Sequence, residues 1–323
     1  MPKIVTVIGA TGIQGGSVIR ALLDNPQYSL RAVTRNTKSD AAKALAARGV
    51  EVVEADINSV ESLRAAFAGS YAIFAMTNFF DEALPTLGID KAMELETRQG
   101  RNLADAAAAT DSLSHYVWST LPNSRRNTNG KLVVPYYESK NQVDDHIKTS
   151  HPELLRKTTF LWLAWYASNM RYPWYLPSEV RTADGSKKYI QLVGLPPSVK
   201  IPLLGDERTN AGLFVRAILE RPDLTLPAKA VAGLDELLSL AEVAQAYGAA
   251  QGIEVRCVQI PKEDYRELWP AWGDLMDVSH SYYEVMGDMG FSSVDEHVLS
   301  KADLGVEGLV GTAEAFAGIK LSD

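Results

Sequence analysis

The stretch Ile4-Val5-Thr6-Val7-Ile8-Gly9-Ala10-Thr11-Gly12-Ile13-Gln14-Gly15 decides the fold. Its first five residues are mostly β-branched and apolar, and they read as a buried strand. Gly-x-x-Gly-x-x-Gly follows directly. In such a turn one glycine lets the chain reverse tightly, a second lets backbone approach a pyrophosphate, and a third lets the next helix pack on the sheet. The helix N-terminus then offers unpaired N–H groups and a positive dipole end to an anion. Glycine spacing alone is weak evidence; a strand before it and a helix after it supply the context of a dinucleotide-binding turn. Gly9, Thr11, Gly12, Ile13, Gln14 and Gly15 are therefore the expected pyrophosphate-binding residues.

Working outward, strand and helix patterns alternate. A helical stretch through Val18, Ile19 and Leu22 closes at Asn25-Pro26, and Leu30–Arg35, Val50–Asp56, Tyr71–Met76, Tyr116–Ser119 and Thr158–Leu163 read as further strands. Ser59 is placed to cap the helix that follows it, and a long helix covers about 89–109. Short apolar strands between helices predict an α/β protein with a Rossmann-type, doubly wound parallel sheet, covered on both faces. Ligands of such sheets sit at the carboxyl ends of the strands, near the point where strand order reverses. After Trp165 the pattern changes to dense aromatic and proline residues, then short strand-like pieces, then mostly helix. The expected division is an NADP(H)-binding domain over 1–165 and a smaller, mostly helical substrate or partner domain over 166–323, some of whose segments return to the sheet.

Dinucleotide choice is read at the end of the second strand. NAD sites usually place a carboxylate there to bond the ribose 2′-hydroxyl. This chain has Thr34-Arg35-Asn36-Thr37-Lys38 instead. Arg35 can stack on adenine and pair with a 2′-phosphate, so NADP(H) is the expected cofactor. Asp56, ending the third strand, either meets the adenine amine or caps the next turn.

The bulk composition narrows the class. The 323 residues are 46% hydrophobic and 22% charged, with a formal net charge of −8. This argues against a nucleic-acid grip, which needs clustered Lys and Arg. A single cysteine, Cys257, rules out an internal disulfide framework and sits in a strand-like segment, which suits an inert thiol. No apolar run approaches the ~20 residues that span a bilayer, and the N-terminus does not read as a signal peptide. A soluble protein of the cytoplasm is expected, with the nucleus as a second location. The oligomeric state is not readable.

Val7-Ile8-Gly9-Ala10-Thr11-Gly12-Ile13-Gln14-Gly15-Gly16-Ser17-Val18, with Ala32-Val33-Thr34-Arg35-Asn36 and Met76-Thr77-Asn78-Phe79, resembles the NmrA-like family of atypical short-chain dehydrogenases/reductases. That family includes NADP(H)-binding redox sensors and transcriptional co-regulators and is related to plant isoflavone and phenylcoumaran benzylic ether reductases. Leu203-Leu204-Gly205-Asp206 and Ser239-Leu240-Ala241-Glu242 extend the resemblance more loosely. It implies that Thr77, Asn78 and Phe79 line the nicotinamide side and that Lys140 reaches the nicotinamide ribose. It also puts Trp165, Tyr166 and Asn169 in a loop over the cofactor. Ala164 and Ala167-Ser168 stand where relatives often carry proline and an acidic residue.

Pro135-Tyr136-Tyr137-Glu138-Ser139-Lys140 contains Tyr-x-x-x-Lys, which puts Tyr136 and Lys140 on one helix face. In a reductase the Tyr hydroxyl gives its proton to the carbonyl oxygen as hydride arrives, and a neighbouring ammonium lowers the Tyr pKa. Ser119 or Thr120 could bond the substrate oxygen. Tyr136, Lys140 and Ser119 form the expected catalytic set, with Tyr137 the rival of Tyr136. The five histidines are scattered without ligand spacing, so no metal is expected. Asp144-Asp145-His146 reads as a solvated face, and Arg125-Arg126 with Lys131 as a surface loop. The aromatic cluster from Trp162 to Tyr175 suits either core or the wall of an apolar substrate pocket. Two functions follow. One is an NADPH-dependent reductase of a small hydrophobic or aromatic carbonyl, imine or activated alkene. The other is a non-catalytic NADP(H) sensor that binds a regulatory protein.

Overall fold

The computed structural model describes residues 2–80, 84–270 and 272–319. The strands are β1 (Lys3–Ile8), β2 (Tyr28–Thr34), β3 (Glu51–Glu54), β4 (Ala72–Ala75), β5 (His115–Thr120), β6 (Thr158–Leu163), β7 (Trp165–Tyr166), β8 (Ser178–Arg181), β9 (Lys187–Val193), β10 (Lys200–Gly205), β11 (Lys229–Gly233), β12 (Glu236–Ser239), β13 (Val255–Gln259) and β14 (Val298–Leu299). The longer helices are α1 (Ile13–Leu22), α2 (Asp40–Ala47), α3 (Val60–Phe67), α4 (Ile89–Ala108), α5 (Pro135–Ser150), α6 (Glu207–Glu220), α7 (Leu240–Gln251), α8 (Lys262–Leu268) and α9 (Trp272–Met286).

Eight strands form one parallel sheet in the order β14-β11-β6-β5-β4-β1-β2-β3. The order reverses between β1 and β4, so a crevice opens at their carboxyl ends, the position where doubly wound sheets bind ligands. Alternation along each strand feeds two cores. Val5, Val7, Phe74, Val117 and Leu161 point to one, with Val18, Ile19 and Leu22 of α1 and Phe214, Val215 and Ile218 of α6. Ile8, Ile73, Tyr116, Trp118 and Phe160 point to the other, with Leu63 and Phe67 of α3, Leu103 of α4 and Val143 and Ile147 of α5. Both faces are thereby dry, which is why the strands read as continuous apolar runs. No helix among the described residues is long and apolar enough to cross a membrane.

The second half of the chain does return to the sheet. Strands β11 and β14 extend it beyond β6, and α6 lies against α1. The two helices touch backbone to backbone: a Cβ on Gly212 would run into the Ser17 carbonyl. The Ser17 hydroxyl also donates to the Thr209 carbonyl at 3.0 Å and accepts from the Gly212 amide at 2.8 Å. The remaining strands make two small sheets, β12-β10-β7 and β13-β9-β8. The C-terminal region is thus less purely helical than its sequence reads, because β8, β11, β12 and β14 are short segments without a clear alternating pattern.

Local signals hold where their chemistry is explicit. Ser59 caps α3 through Ser62 N, Pro135 opens α5, and Ser239 with Glu242 forms a capping box on α7. Cys257 lies half-buried in β13, and burial pushes its thiol up to about 11, which keeps it protonated and unreactive.

Asp144 departs from its expected solvated place. It faces inward from α5, accepting from Trp118 Nε1 at 2.8 Å and Thr120 Oγ1 at 3.0 Å, and so ties the helix to β5. Burial pushes its carboxyl up to about 7, against the opposing pull of Lys148 and of the two hydrogen bonds. Between about pH 4 and pH 7 the folded chain therefore holds a proton that an unfolded aspartate, near 3.9, releases. Stability contributed by the protonated carboxyl is present below that window and is lost as pH rises through it, by up to about 4 kcal/mol. In urea unfolding, Asp144→Asn should gain on the parent as pH is raised from 5 to 8; a gap that stays constant with pH would contradict this assignment.

Candidate active site

The glycine turn is built as a cradle. Gly9 has φ +66°, a left-handed conformation that favours glycine. Gly12 N-caps α1 with no side chain to satisfy the first amides, and it donates its own N–H to the Gly9 carbonyl at 2.8 Å. The amides of Ile13, Gln14 and Gly15 have no acceptor within the helix. A Cβ on Gly15 would collide with the Gly9 carbonyl, so Gly15 is the residue that lets α1 press against the turn. Thr11 and Gly12 are exposed, open to an incoming anion. The Gln14 amide donates to the Tyr166 hydroxyl at 2.6 Å, while its Oε1 is buried with no partner among the described residues. Open amides at a helix N-terminus, beside an orphaned acceptor, fit a dinucleotide pyrophosphate and its flanking riboses.

Arg35 follows β2 and is exposed, on the same sheet edge; among the described residues it makes no ion pair. Asp56 follows β3 and closes an Asx turn, its Oδ1 accepting from Asn58 N at 2.9 Å and Asn58 Nδ2 at 2.8 Å. Asp56 thus closes this turn and remains exposed.

Beyond β4, Met76 lies over Gly9, its sulfur 3.1 Å from where a Cβ would be. Thr77 is next and buried. Its hydroxyl donates to Glu96 Oε1 at 2.8 Å and accepts from Lys140 Nζ at 2.9 Å. Lys140 Nζ also donates to the Thr77 carbonyl at 3.2 Å and to Glu96 Oε1 at 2.7 Å, and Ser139 donates to the other carboxylate oxygen. Glu96 is 2% exposed and Lys140 8%. This Thr77–Glu96–Lys140–Ser139 cluster is the polar heart of the site. Glu96 comes from α4, and its helix reaches α5 closely because Gly100, one turn on, leaves room for Val143. Sequence reading missed Glu96: one acid on an amphipathic helix carries no local signal, and only the packing of α4 on α5 brings it to Lys140.

Asn78 is exposed and its side chain accepts from the Phe80 amide at 3.2 Å. Phe79 is buried against Tyr136, 6.0 Å between ring centroids. Tyr136 is half-buried and also meets Phe80 at 5.1 Å and Tyr137 at 4.9 Å. Burial pushes its hydroxyl up to about 12, with Ser279 and Tyr137 pulling the other way. Lys140, four residues on, directs its Nζ to Glu96 and Thr77. Tyr136 therefore stays protonated at neutral pH and is a hydrogen donor, not a base. Tyr137 is tied to the Tyr283 hydroxyl at 2.5 Å in the core. Ser119 is buried near the end of β5, opposite Leu161.

Tyr166 and Asn169 are both half-buried, in β7 and the short 3-10 turn after it. The aromatic cluster divides: Trp174 and Tyr175 are buried, Tyr172 is exposed, and Trp174 stacks on Trp272 of α9 at 4.8 Å. Phe80 faces the same Trp272 ring at 6.1 Å. An aromatic wall thus stands beside Tyr136, from three separate segments. The indole nitrogens of Trp165 and Trp174 are buried without partners among the described residues. Arg125 and Arg126, by contrast, are engaged: Arg125 pairs with Glu138 at 3.0 Å and Arg126 with Asp295 at 3.2 Å.

The Glu96–Lys140 pair yields a direct test. Lys140→Met would strand a buried carboxylate and should cost about 3 kcal/mol or more in urea unfolding. Adding Glu96→Gln should recover most of that loss. A double variant no more stable than Lys140→Met would contradict the pairing.

The chain is similar to several known proteins. The model of the NmrA-like family matches residues 1–305. The chain is 36% identical over 167 residues to the NmrA-like family domain-containing oxidoreductase hkm9 of Aspergillus hancockii, covering 52% of this chain and 48% of that protein, about half its length. It is 29% identical over 285 residues to the NmrA-like family domain-containing oxidoreductase FrzB of Cladobotryum sp, covering 84% and 78%. Among solved structures, NmrA, a negative transcriptional regulator, aligns with TM-score 0.74 at 21% identity, covering 99% of this chain and 96% of that one. The NADPH-dependent quinone oxidoreductase QOR2 of Escherichia coli, complexed with NADPH, aligns with TM-score 0.68 at 17% identity, covering 97% and 99%. At those identities the structural likeness speaks for the fold alone. The family match, spanning nearly the whole sequence and joined to the glycine turn that opens it, carries the conclusion: the chain belongs to the NmrA-like family.

Proposed function

We propose that the protein is an NADPH-dependent reductase of a small hydrophobic or aromatic metabolite, delivering hydride to a carbonyl, imine or activated alkene. The observation that carries this reading is the continuity of β1 and β4 at the crevice. Gly9 ends one strand and Met76-Thr77 the other, so the pyrophosphate cradle and the Lys140 cluster sit on neighbouring strand ends, with an aromatic wall beyond. The relatives named as oxidoreductases support it.

In this reading Gly9, Thr11, Gly12, Ile13, Gln14 and Gly15 hold the pyrophosphate, Arg35 the 2′-phosphate, and Asp56 the edge of the adenosine pocket. Thr77, Asn78, Phe79, Tyr166 and Asn169 flank the nicotinamide half, and Lys140, steadied by Glu96, faces its ribose. The reduced nicotinamide supplies the hydride when bound. The chain's own task is to orient the acceptor against the aromatic wall, exclude water and deliver a proton to its heteroatom or carbanionic carbon. Tyr136, protonated at neutral pH, is the donor, and Ser119 a hydrogen-bonding partner for the substrate. The proton Tyr136 gives up is replaced from solvent.

A second reading, a non-catalytic NADP(H) sensor with a regulatory protein partner, is favoured by one specific observation. Lys140 is engaged by Glu96 and Thr77, and burial holds the Tyr136 hydroxyl up at about 12, which favours a bound but unspent cofactor. Following NADPH absorbance against a panel of aldehydes, ketones, imines and quinones separates the two. The reductase reading expects turnover, and Tyr136→Phe should lower kcat by about 100-fold with NADPH binding intact. Intact NADPH binding with no turnover on any acceptor would favour the sensor.

A further inference from the structure

Two of the histidines that look scattered in sequence converge on one carboxylate. Asp105 lies in the last turn of α4, His146 on α5, and His151 just beyond the end of α5. His146 Nε2 and His151 Nε2 each lie 2.7 Å from Asp105 Oδ1, and the two rings meet edge to face at 5.0 Å. The three ligand atoms all fall within 4.8 Å of one another, and all three side chains are half-buried with one side open to water.

We propose that Asp105, His146 and His151 form a binding site for a divalent transition-metal ion of the zinc type, with water in the remaining position. The donor set is right: two imidazole nitrogens and one carboxylate oxygen are the ligand types of three-ligand zinc sites. The spacing is also close. Tetrahedral zinc with bonds of about 2.0–2.1 Å separates its donors by about 3.3 Å, so seating the ion asks for side-chain shifts of under about 1 Å. The chemistry balances without an outside reactant. Facing the carboxylate, each Nε2 carries a proton; ligation moves that proton to Nδ1 or to solvent and turns the Nε2 lone pair to the ion. Fixed hydrogen bonds already hold the carboxylate between the rings, so little side-chain entropy is lost on binding.

The location separates this site from the candidate active site. His146 is six residues beyond Lys140 on the same helix, about 9 Å along its axis, and away from the carboxyl edge of the sheet. An ion there would fasten α4 to α5, the two helices that carry Glu96 and Lys140. This role does not rest on the proposed reaction.

The test uses the full chain without a histidine tag, treated with chelator. Calorimetric titration with zinc chloride should give saturable binding of one ion per chain and a rise in Tm. His146→Gln and His151→Gln should each weaken zinc binding by about tenfold or more. His297→Gln, changing an exposed histidine elsewhere, should leave it unaltered. Cobalt(II) added to the parent should give visible d–d bands of a tetrahedral or five-coordinate centre with no thiolate band, since the proposed ligands include no cysteine and the half-buried Cys257 lies in β13. No saturable zinc binding, binding that survives both substitutions, or cobalt that stays in its hexaaqua form on the folded parent would overturn the proposal. The cobalt result stands even if a variant fails to fold.

Discussion

The close seating of α1 on the turn that precedes it governs the geometry of the whole crevice. With Gly15 pressed to the Gly9 carbonyl, the first amides of the helix are aimed at the space above the strand ends and cannot be satisfied by the chain itself. A larger side chain at Gly15 would lift the helix away and swing those amides off target. The same helix is gripped from its outer side, where Gly212 lets α6 approach the Ser17 carbonyl. Two glycines far apart in sequence thus fix one helix between a strand turn and a second helix. This places part of the C-terminal half in the foundation of the glycine turn and its crevice and not merely beside them.

The second constraint is electrostatic. A lysine and a glutamate buried together are costly to desolvate, and a pair of this kind persists when hydrogen bonds satisfy its remaining donors and acceptors. Here Thr77 and Ser139 do so, and the pair holds β4, α4 and α5 in one geometry. The arrangement also limits the chemistry. Lys140 spends its donors on Glu96 and Thr77, and burial in an aromatic layer drives the Tyr136 hydroxyl upward. What is left is a protonated phenol beside an apolar wall, suited to donating a hydrogen bond or a proton to a bound acceptor.

The parts of this account that were legible in sequence are those with local causes. The strand–glycine–helix order announces the fold because each glycine answers a backbone demand within a few residues. Ser59, Pro135 and Ser239 announce helix starts for the same reason. The return of β11 and β14 to the sheet, the partnership of Glu96 with Lys140 and the inward turn of Asp144 are set by tertiary packing across 26 or more positions, as the Trp118–Asp144 and Lys140–Glu96 separations illustrate. Asp144 shows the difficulty plainly: next to Asp145 and His146 it looks solvated, yet its side chain lies over Trp118. The convergence of His146 and His151 on Asp105 was hidden likewise, because the third group comes from another helix.

The central claim is that the glycine turn and Arg35 together hold NADP(H) in preference to NAD(H). Calorimetric titration of the protein with NADPH and with NADH, on the parent and on Arg35→Ala, addresses it most directly. Tighter binding of NADPH is expected, with a preference that collapses in Arg35→Ala while NADH affinity is little changed. Equal or tighter binding of NADH by the parent, or a preference indifferent to Arg35, would contradict it.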